Sequence, residues 1–519
     1  MKALIFQRAL QKLRSANRFM KEVRQEYSLK PVSKFQITRS YYDSFDWRLF
    51  RENFVLERNC DQETFWVLRP VSDSGGRFLR QNFEGEPVFL EDLPPGPIRE
   101  ILSLVLGVRA LLKSGTAKIM VRTYELRDDL DKILLRLERE NFLHPDDRGE
   151  LRTEVVNFRL LPYRGYEKTA EKLLNLLDKV EAPGGQADPL HYVLKHSKRQ
   201  PLDYSSKLKI PLTAELTMGQ ALTTALLFLL DILERNIEGI ITDTDSEFLH
   251  DFRIAGRRSR SLITQVKNIF PSFAELPFKD AFSQLSVKTS ENRDLDVFLQ
   301  EFPDKKALLP AAMQQDLEPL YVVMKEDRNR RREILLKWLV SDDFGKFLVQ
   351  WREFLNLSIK DELFEDKGKL PVLDVASHSI WKVYKRLIKQ GKAVSRTNSF
   401  EDLHEVRKTA KKLRYLLETF RNLYPGEQIE QIVQELKRLQ NLLGAIVDYH
   451  VQQMYLSVWA DDMCEPGFSD ATREAVKALI TKFNELEDKS CRKFHGRFAE
   501  FSGKQNRDRF KLLFKRKNV

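Results

Sequence analysis

The chain matches itself at a fixed offset of 154 residues, the distance from His250 to His404. The segment His250–Val297 contains HDFRIAGRRSRS and RDLDV. It aligns without a gap to His404–Val451, which contains HEVRKTAKKLRY and VDYHV. His250 falls on His404, Arg253 on Arg407, Arg257 on Lys411, Arg260 on Arg414 and Lys267 on Arg421. Pro271 falls on Pro425 and Asp294 on Asp448. Two unrelated charged helices would not hold a histidine, a proline and a distal aspartate in register, so the economical reading is a duplicated helical unit.

Helical geometry gives the repeat a chemical sense. At about 100° per residue, positions 250, 253, 257, 260 and 267 fall within an arc of roughly 100°. Phe252, Ala255, Leu262, Ile263, Val266 and Phe270 take the other side. In the second copy, His404, Arg407, Lys411, Arg414 and Arg421 oppose Val406, Leu413, Leu416, Leu417 and Phe420. Each helix therefore carries an apolar stripe for a bundle and a cationic stripe about 25 Å long. Arg258, Lys408, Lys412 and Tyr415 widen the stripes at their edges. A solvated face usually alternates sign to make i,i+4 pairs. These stripes read as single-signed, and like charges at that spacing repel unless an anion neutralises them. Either histidine could equally serve as a hydrogen-bonding group within the bundle.

A long stripe suits a linear polyanion better than a single phosphate. Arginine offers planar bidentate contacts to phosphate oxygens and lysine a point charge. Single-stranded nucleic acid would want interleaved aromatic rings for base stacking, and only Tyr415 lies near the cationic faces. Composition alone does not supply the basic character: residues 212–519 hold 50 Lys+Arg against 46 Asp+Glu within a chain of net charge +11. Local patterning must do the work.

The 519 residues suffice for two to four domains. Residues 1–29 read as an amphipathic helix. Short apolar runs such as NFVLERN, TFWVLRP and KIMVRTYEL follow, separated by turn chemistry at 73–76, 93–96 and 127–129, and they predict an antiparallel sheet or barrel. One helix interrupts it near Ile98–Lys113, and another spans 166–180. Residues 183–211, with Pro and Gly clusters, read as a linker. From Leu212 the pattern is helical to the end. The three cysteines, Cys60, Cys464 and Cys491, sit in unrelated segments and form no CxxC. A disulfide framework or structural zinc site is therefore not expected, and a reducing, cytoplasmic setting is. No apolar run approaches the ~20 residues that span a bilayer, so no membrane partner is expected.

At HDFRIAGRRSR, RDLDVFL, LHEVRKTAKKLRYLLE and LKRLQNLLGAIVD the chain resembles the CHAD family, the conserved histidine α-helical domain. The resemblance covers residues 212–519, in halves of about 212–365 and 366–519. It implies an all-α region of two pseudo-symmetric four-helix bundles with a basic groove between them, and binding of inorganic polyphosphate. The family's basic positions carry over to His250, Arg253, Arg257, Arg258 and Arg260, and to His404, Arg407, Lys411, Lys412 and Arg414. The candidate contact set also takes in Lys267, Arg293, Lys408, Tyr415, Arg421 and Lys437. Val447 stands where the first copy has Arg293, so any contact from that position is asymmetric.

Residues 30–182 resemble the CYTH family, the triphosphate tunnel fold, at YYDSFDWRLFRENFVLERN, RTYELRDD and LPYRGYEK. The resemblance implies an α+β antiparallel tunnel-type barrel. A working member carries ExExK on its first strand, whose carboxylates hold a divalent metal that bridges phosphate oxygens. Here the residues before Tyr41 are LKPVSKFQITRS, without a carboxylate, and Glu138-Arg139-Glu140 lacks the following Lys. The expectation is a degenerate tunnel domain without metal, cofactor or catalysis. Arg58, Arg69, Arg122 and Arg136 are candidates to line it and hold phosphate. The reading that follows is a protein that binds polyphosphate and associates with polyphosphate granules. Its rivals are a metal-dependent tripolyphosphatase, a nucleic-acid-binding protein, which the scarcity of aromatic residues disfavours, and an adaptor for acidic protein surfaces.

Overall fold

The computed structural model describes residues 2–71, 76–145, 148–180, 188–197, 199–208, 210–360, 363–397, 399–462 and 468–515. Most of the turn expected at 73–76, the Ala-Pro-Gly-Gly of 182–185, Cys464 and Pro466 lie outside those residues. Two compact units result, Met1–Ser205 and Ser206–Val519.

In the first unit eight strands close a barrel: β1 (Lys2–Leu10), β2 (Ser28–Asp43), β3 (Phe54–Cys60), β4 (Thr64–Pro70), β5 (Gly76–Asn82), β6 (Leu112–Arg127), β7 (Ile133–Pro145) and β8 (Leu151–Pro162). Their order is β1-β5-β4-β3-β2-β6-β7-β8. Closure leaves no sheet edge to solvent. Residues 2–10 are thus a strand, not the first turns of a helix. The run Ala3-Leu4-Ile5-Phe6 satisfies periods of 2 and 3.6 alike, and the choice is made by pairing with β5 and β8.

Helices cover the barrel. On its outer face α1 (Leu13–Glu26) joins Phe6, Leu10, Leu135, Leu137, Phe158 and Leu160 in one core. After α2 (Arg48–Arg51), α3 (Pro97–Val105) covers Leu56, Trp66 and Leu68. The outer core is completed by α4 (Glu167–Val180). In the segment expected to be linker, α5 (Pro189–His196) sets Leu190, Val193 and Leu194 among Ile37, Tyr41, Ala117, Phe142 and Val155, which belong to the barrel's inner face. It closes one mouth of the barrel.

The second unit is helical: α6 (Met218–Ile241), α7 (Ser246–Gln265), α8 (Ser272–Lys288), α9 (Ser290–Gln300), α10 (Phe302–Lys306), α11 (Ala311–Gln314), α12 (Glu318–Leu339), α13 (Asp342–Lys360), α14 (Val372–Thr397), α15 (Phe400–Thr419), α16 (Gly426–Asp462), α17 (Asp470–Ser502) and α18 (Lys504–Phe514). The offset found in the sequence recurs in the element boundaries, since α6, α7 and α8 begin 154 residues before α14, α15 and α16. The copies differ where α8 and α9 break at Thr289 while α16 runs through. The halves meet along α6 and α14 and along α7 and α15. Leu295, Phe298 and Leu320 share a core with Leu456, Leu479 and Phe483. Among the described residues no helix is long and apolar enough to cross a membrane.

Candidate functional site

The cationic stripes are positioned by caps and by burial of their opposite faces. Asp245 caps α7 by accepting the Glu247 N–H at 2.9 Å, and Ser399 caps α15 through the Asp402 N–H at 3.2 Å. Phe252, Ala255, Leu262 and Ile263 of α7 and Val406, Leu413, Leu416 and Leu417 of α15 are buried. The two basic faces therefore line one groove made of two adjoining cavities.

The first cavity, of about 490 Å³, is lined by His250, Arg257, Arg258, Lys411, Arg414, Tyr415, Arg421 and Lys437, with the acidic Asp251, Glu418 and Glu430. The second, of about 530 Å³, is lined by His250, Arg253, Arg257, Arg293, His404, Arg407 and Lys411, with Asp294 and Asp448. Both share His250, Ile254, Arg257 and Lys411, so the equivalent residues Arg257 and Lys411 stand at their junction. Arg260, Lys267, Lys408 and Lys412 line neither. Lys408 pairs with Glu405 at 2.8 Å. The stripes also stop short of the expected length: α7 ends at Gln265 and α15 at Thr419, so Lys267 and Arg421 lie just beyond their helices. Arg421 still faces the first cavity, from a 3₁₀ turn.

Carboxylates temper the stripes more than a single-signed reading allows. Glu418 accepts from Arg258 at 2.8 Å and from Arg414 at 2.6 Å. Arg407 donates to Asp448 at 2.8 Å. Arg293 reaches Glu247 at 3.2 Å and the Ser246 carbonyl at 2.9 Å. Arg421 reaches Glu430 at 3.4 Å. Arg253 is held by the Thr289 hydroxyl at 2.8 Å. Tyr415 is buried under the Arg258 guanidinium, 5.8 Å from its ring centroid, and offers no open stacking surface.

Among the described residues Arg253, held only by neutral oxygens, and Lys437 have no ion-pair partner, and at the junction neither Arg257 nor Lys411 has one. Burial, reinforced by Arg257 and Arg407, pushes the Lys411 ammonium down to about 7. Burial and then Lys408 and Arg407 also lower His404, whose Nδ1 has no hydrogen-bond partner. This is a concentrated positive potential waiting for a counter-charge. The sequence reading missed Lys207 and Tyr455 on the cavity walls. Lys207 lay in the presumed linker. Tyr455 sits 48 residues after Arg407, on the far end of α16.

The barrel interior is neutralised from within. Arg39 is buried, bidentate to Glu140 at 2.6 and 3.0 Å, and bonded to Asn59 at 2.7 Å. Arg69 donates to Glu57 at 2.6 Å and bidentately to Asp188, the α5 cap, at 2.6 and 2.9 Å. Arg159 donates to Glu57 at 2.9 Å. Against the upward push of burial, Arg39, Arg69 and Arg159 hold the Glu57 carboxyl far below its usual range. Three arginines thus face three carboxylates.

The four tunnel candidates do not form a phosphate cradle. Arg69 is committed to Glu57 and Asp188. Arg58 pairs across the strands with Trp66, on the outer face under α3, and reaches Glu86 at 3.2 Å. Arg122 pairs with Arg139, whose side chain reaches Asn17 of α1 on the outside. Arg136 is exposed on β7, in register with Glu125 and Leu161. Nor do the residues fit a tunnel enzyme's metal. Neither β1 nor β2 carries a carboxylate before Asp43, and Glu57 and Glu140 are both bonded to arginine.

A family model described as the CHAD domain matches residues 224–457. This stretch is a CHAD domain. The match takes in α7, α15 and the groove between them. Among solved structures, the CHAD domain from the plant Ricinus communis is 20% identical, over 56% of this chain and 95% of that one, with a TM-score of 0.47. PptA from Streptomyces chartreusis is 12% identical over 54% and 99%, with a TM-score of 0.44. Over 40% of this chain and 100% of its own, an adenylyl cyclase homologue from Hippeastrum, described as having a dominant triphosphatase activity, is 12% identical with a TM-score of 0.26. No curated protein matches the sequence.

Proposed function

We propose that the CHAD domain binds inorganic polyphosphate along the α7–α15 groove, that this binding brings the protein to polyphosphate granules in the cytoplasm, and that the barrel is non-catalytic. One observation carries the reading: Arg257 and Lys411, equivalent in the two copies, stand unpaired at the junction of two cavities flanked by His250, Arg253, His404 and Arg407. A linear polyanion can run through both cavities and meet matched cations from each repeat. A nucleic acid gains little here, because the rings near the cations are few: Tyr415 is buried and Tyr455 is a single part-buried ring, not an interleaved series for base stacking.

Titration of the full-length protein with long-chain polyphosphate at two salt concentrations, with double-stranded DNA as competitor, tests the proposal. The expected result is tight binding that falls steeply with salt, by analogy with counterion release from nucleic acids, and that DNA does not displace. Weak binding, or ready displacement by DNA, would make the groove a general anion surface.

A further inference from the structure

A second cluster lies at the barrel rim, far in sequence from the basic groove. His144 of β7, Glu154 of β8 and His196 in the last turn of α5 place one ligand atom each within 4.8 Å of one another. His196 Nε2 is 3.2 Å from a Glu154 carboxylate oxygen. The imidazoles of His144 and His196 stack at 3.7 Å between centroids.

Two further features shape this cluster. Phe142 pairs with Val155 and Leu143 with Thr153, so Glu154 is the extra residue of a β-bulge, a device that re-aims a side chain. The Tyr192 hydroxyl, one turn before His196, donates to the same carboxylate. A carboxylate fixed by an outer hydrogen bond is the usual support of a metal ligand.

We propose that His144, Glu154 and His196 bind one divalent transition-metal ion, zinc by preference. Two imidazoles and a carboxylate form a nitrogen–oxygen set suited to it, with the fourth position open to water at the exposed rim. Bonds of about 2.0–2.2 Å place the ligand atoms of a tetrahedral site about 3.4 Å apart. The His196–Glu154 pair already meets this, and small side-chain rotations bring in His144. Because Asp188 ties the start of α5 to Arg69 inside the barrel, the ion would fasten the other end of the same helix to β7 and β8.

Untagged full-length protein, stripped with a chelator, should bind one Co²⁺ per chain with a visible ligand-field band that Zn²⁺ abolishes. His144→Ala and His196→Ala should each weaken binding by about tenfold or more, and Tyr192→Phe by about tenfold. Circular dichroism and unchanged polyphosphate binding would show that the variants fold. No ligand-field band in excess Co²⁺, or an unchanged band and affinity in the folded His144→Ala/His196→Ala variant, would overturn the proposal and leave the cluster as a His–Glu ion pair.

Discussion

Lys411 concentrates the chemistry of the groove into one side chain. Its ammonium falls from the ordinary 10.5 to about 7 because burial strips its hydration and Arg257 and Arg407 repel it. Between those values the unfolded chain binds more protons than the folded one. Folding stability from this group therefore rises with pH through that window, and the full cost of the charge is present below about 7. A bound polyanion reverses the repulsion and restores the proton. Polyphosphate binding near pH 8 should thus take up protons, seen as a dependence of calorimetric enthalpy on buffer ionisation. Lys411→Met should abolish that uptake and weaken binding while raising the melting temperature of the free protein. Unchanged proton uptake in Lys411→Met would remove Lys411 from the site. At this scale the sequence was partly readable. Duplication marked Arg257 and Lys411, but the single-signed reading of the stripes passed over Glu418, which stands four residues after Arg414 and pairs with it. The Arg407–Asp448 pair was not readable, because it depends on how α16 lies against α15.

Elements were legible where the chain is long and periodic, and obscure where a short segment takes its structure from a distant partner. All the long helices of the second unit fall in the region read as helical, and the copies keep their offset. Strand β1 and helix α5 were misread for one physical reason. Neither has enough length to show a period, and each is defined by what it closes. The cue for α5 was the pair Asp188-Pro189, an N-cap followed by proline at the first helical position, set within a stretch whose proline and glycine content suggests a turn. That cap does double duty, since Asp188 accepts the Leu190 N–H at 2.8 Å and bonds Arg69 inside the barrel. Asp188→Ala removes the cap and leaves a buried guanidinium with one carboxylate in place of two. Breaking a buried pair from one side costs about 3–5 kcal/mol. The barrel's unfolding transition in denaturant should move down by that order, with the helical unit's transition unchanged. A shift below about 1 kcal/mol, the scale of the cap alone, would mean that Arg69 is satisfied without Asp188.

The whole molecule divides its charge by function. Net positive charge is spread over both units, yet the barrel balances its buried arginines with carboxylates, whereas the groove leaves cations uncompensated at the junction of its cavities. A binding role in the helical unit alone therefore predicts an asymmetric response to charge reversal. Arg253→Glu with Arg407→Glu places two carboxylates at equivalent positions of the two repeats, beside Asp294 and Asp448, and should abolish polyphosphate binding with helicity intact. Arg58→Glu with Arg122→Glu changes the net charge by the same amount on the outer face of the barrel and should leave affinity nearly unchanged. Non-specific attraction to a basic protein would make the two double variants lose affinity alike and respond alike to salt. Site binding separates them, because a steep salt dependence needs several phosphates neutralised together, and the duplicated stripes bring several cations into one groove. Equal losses in the two folded variants would refute the groove as the binding site.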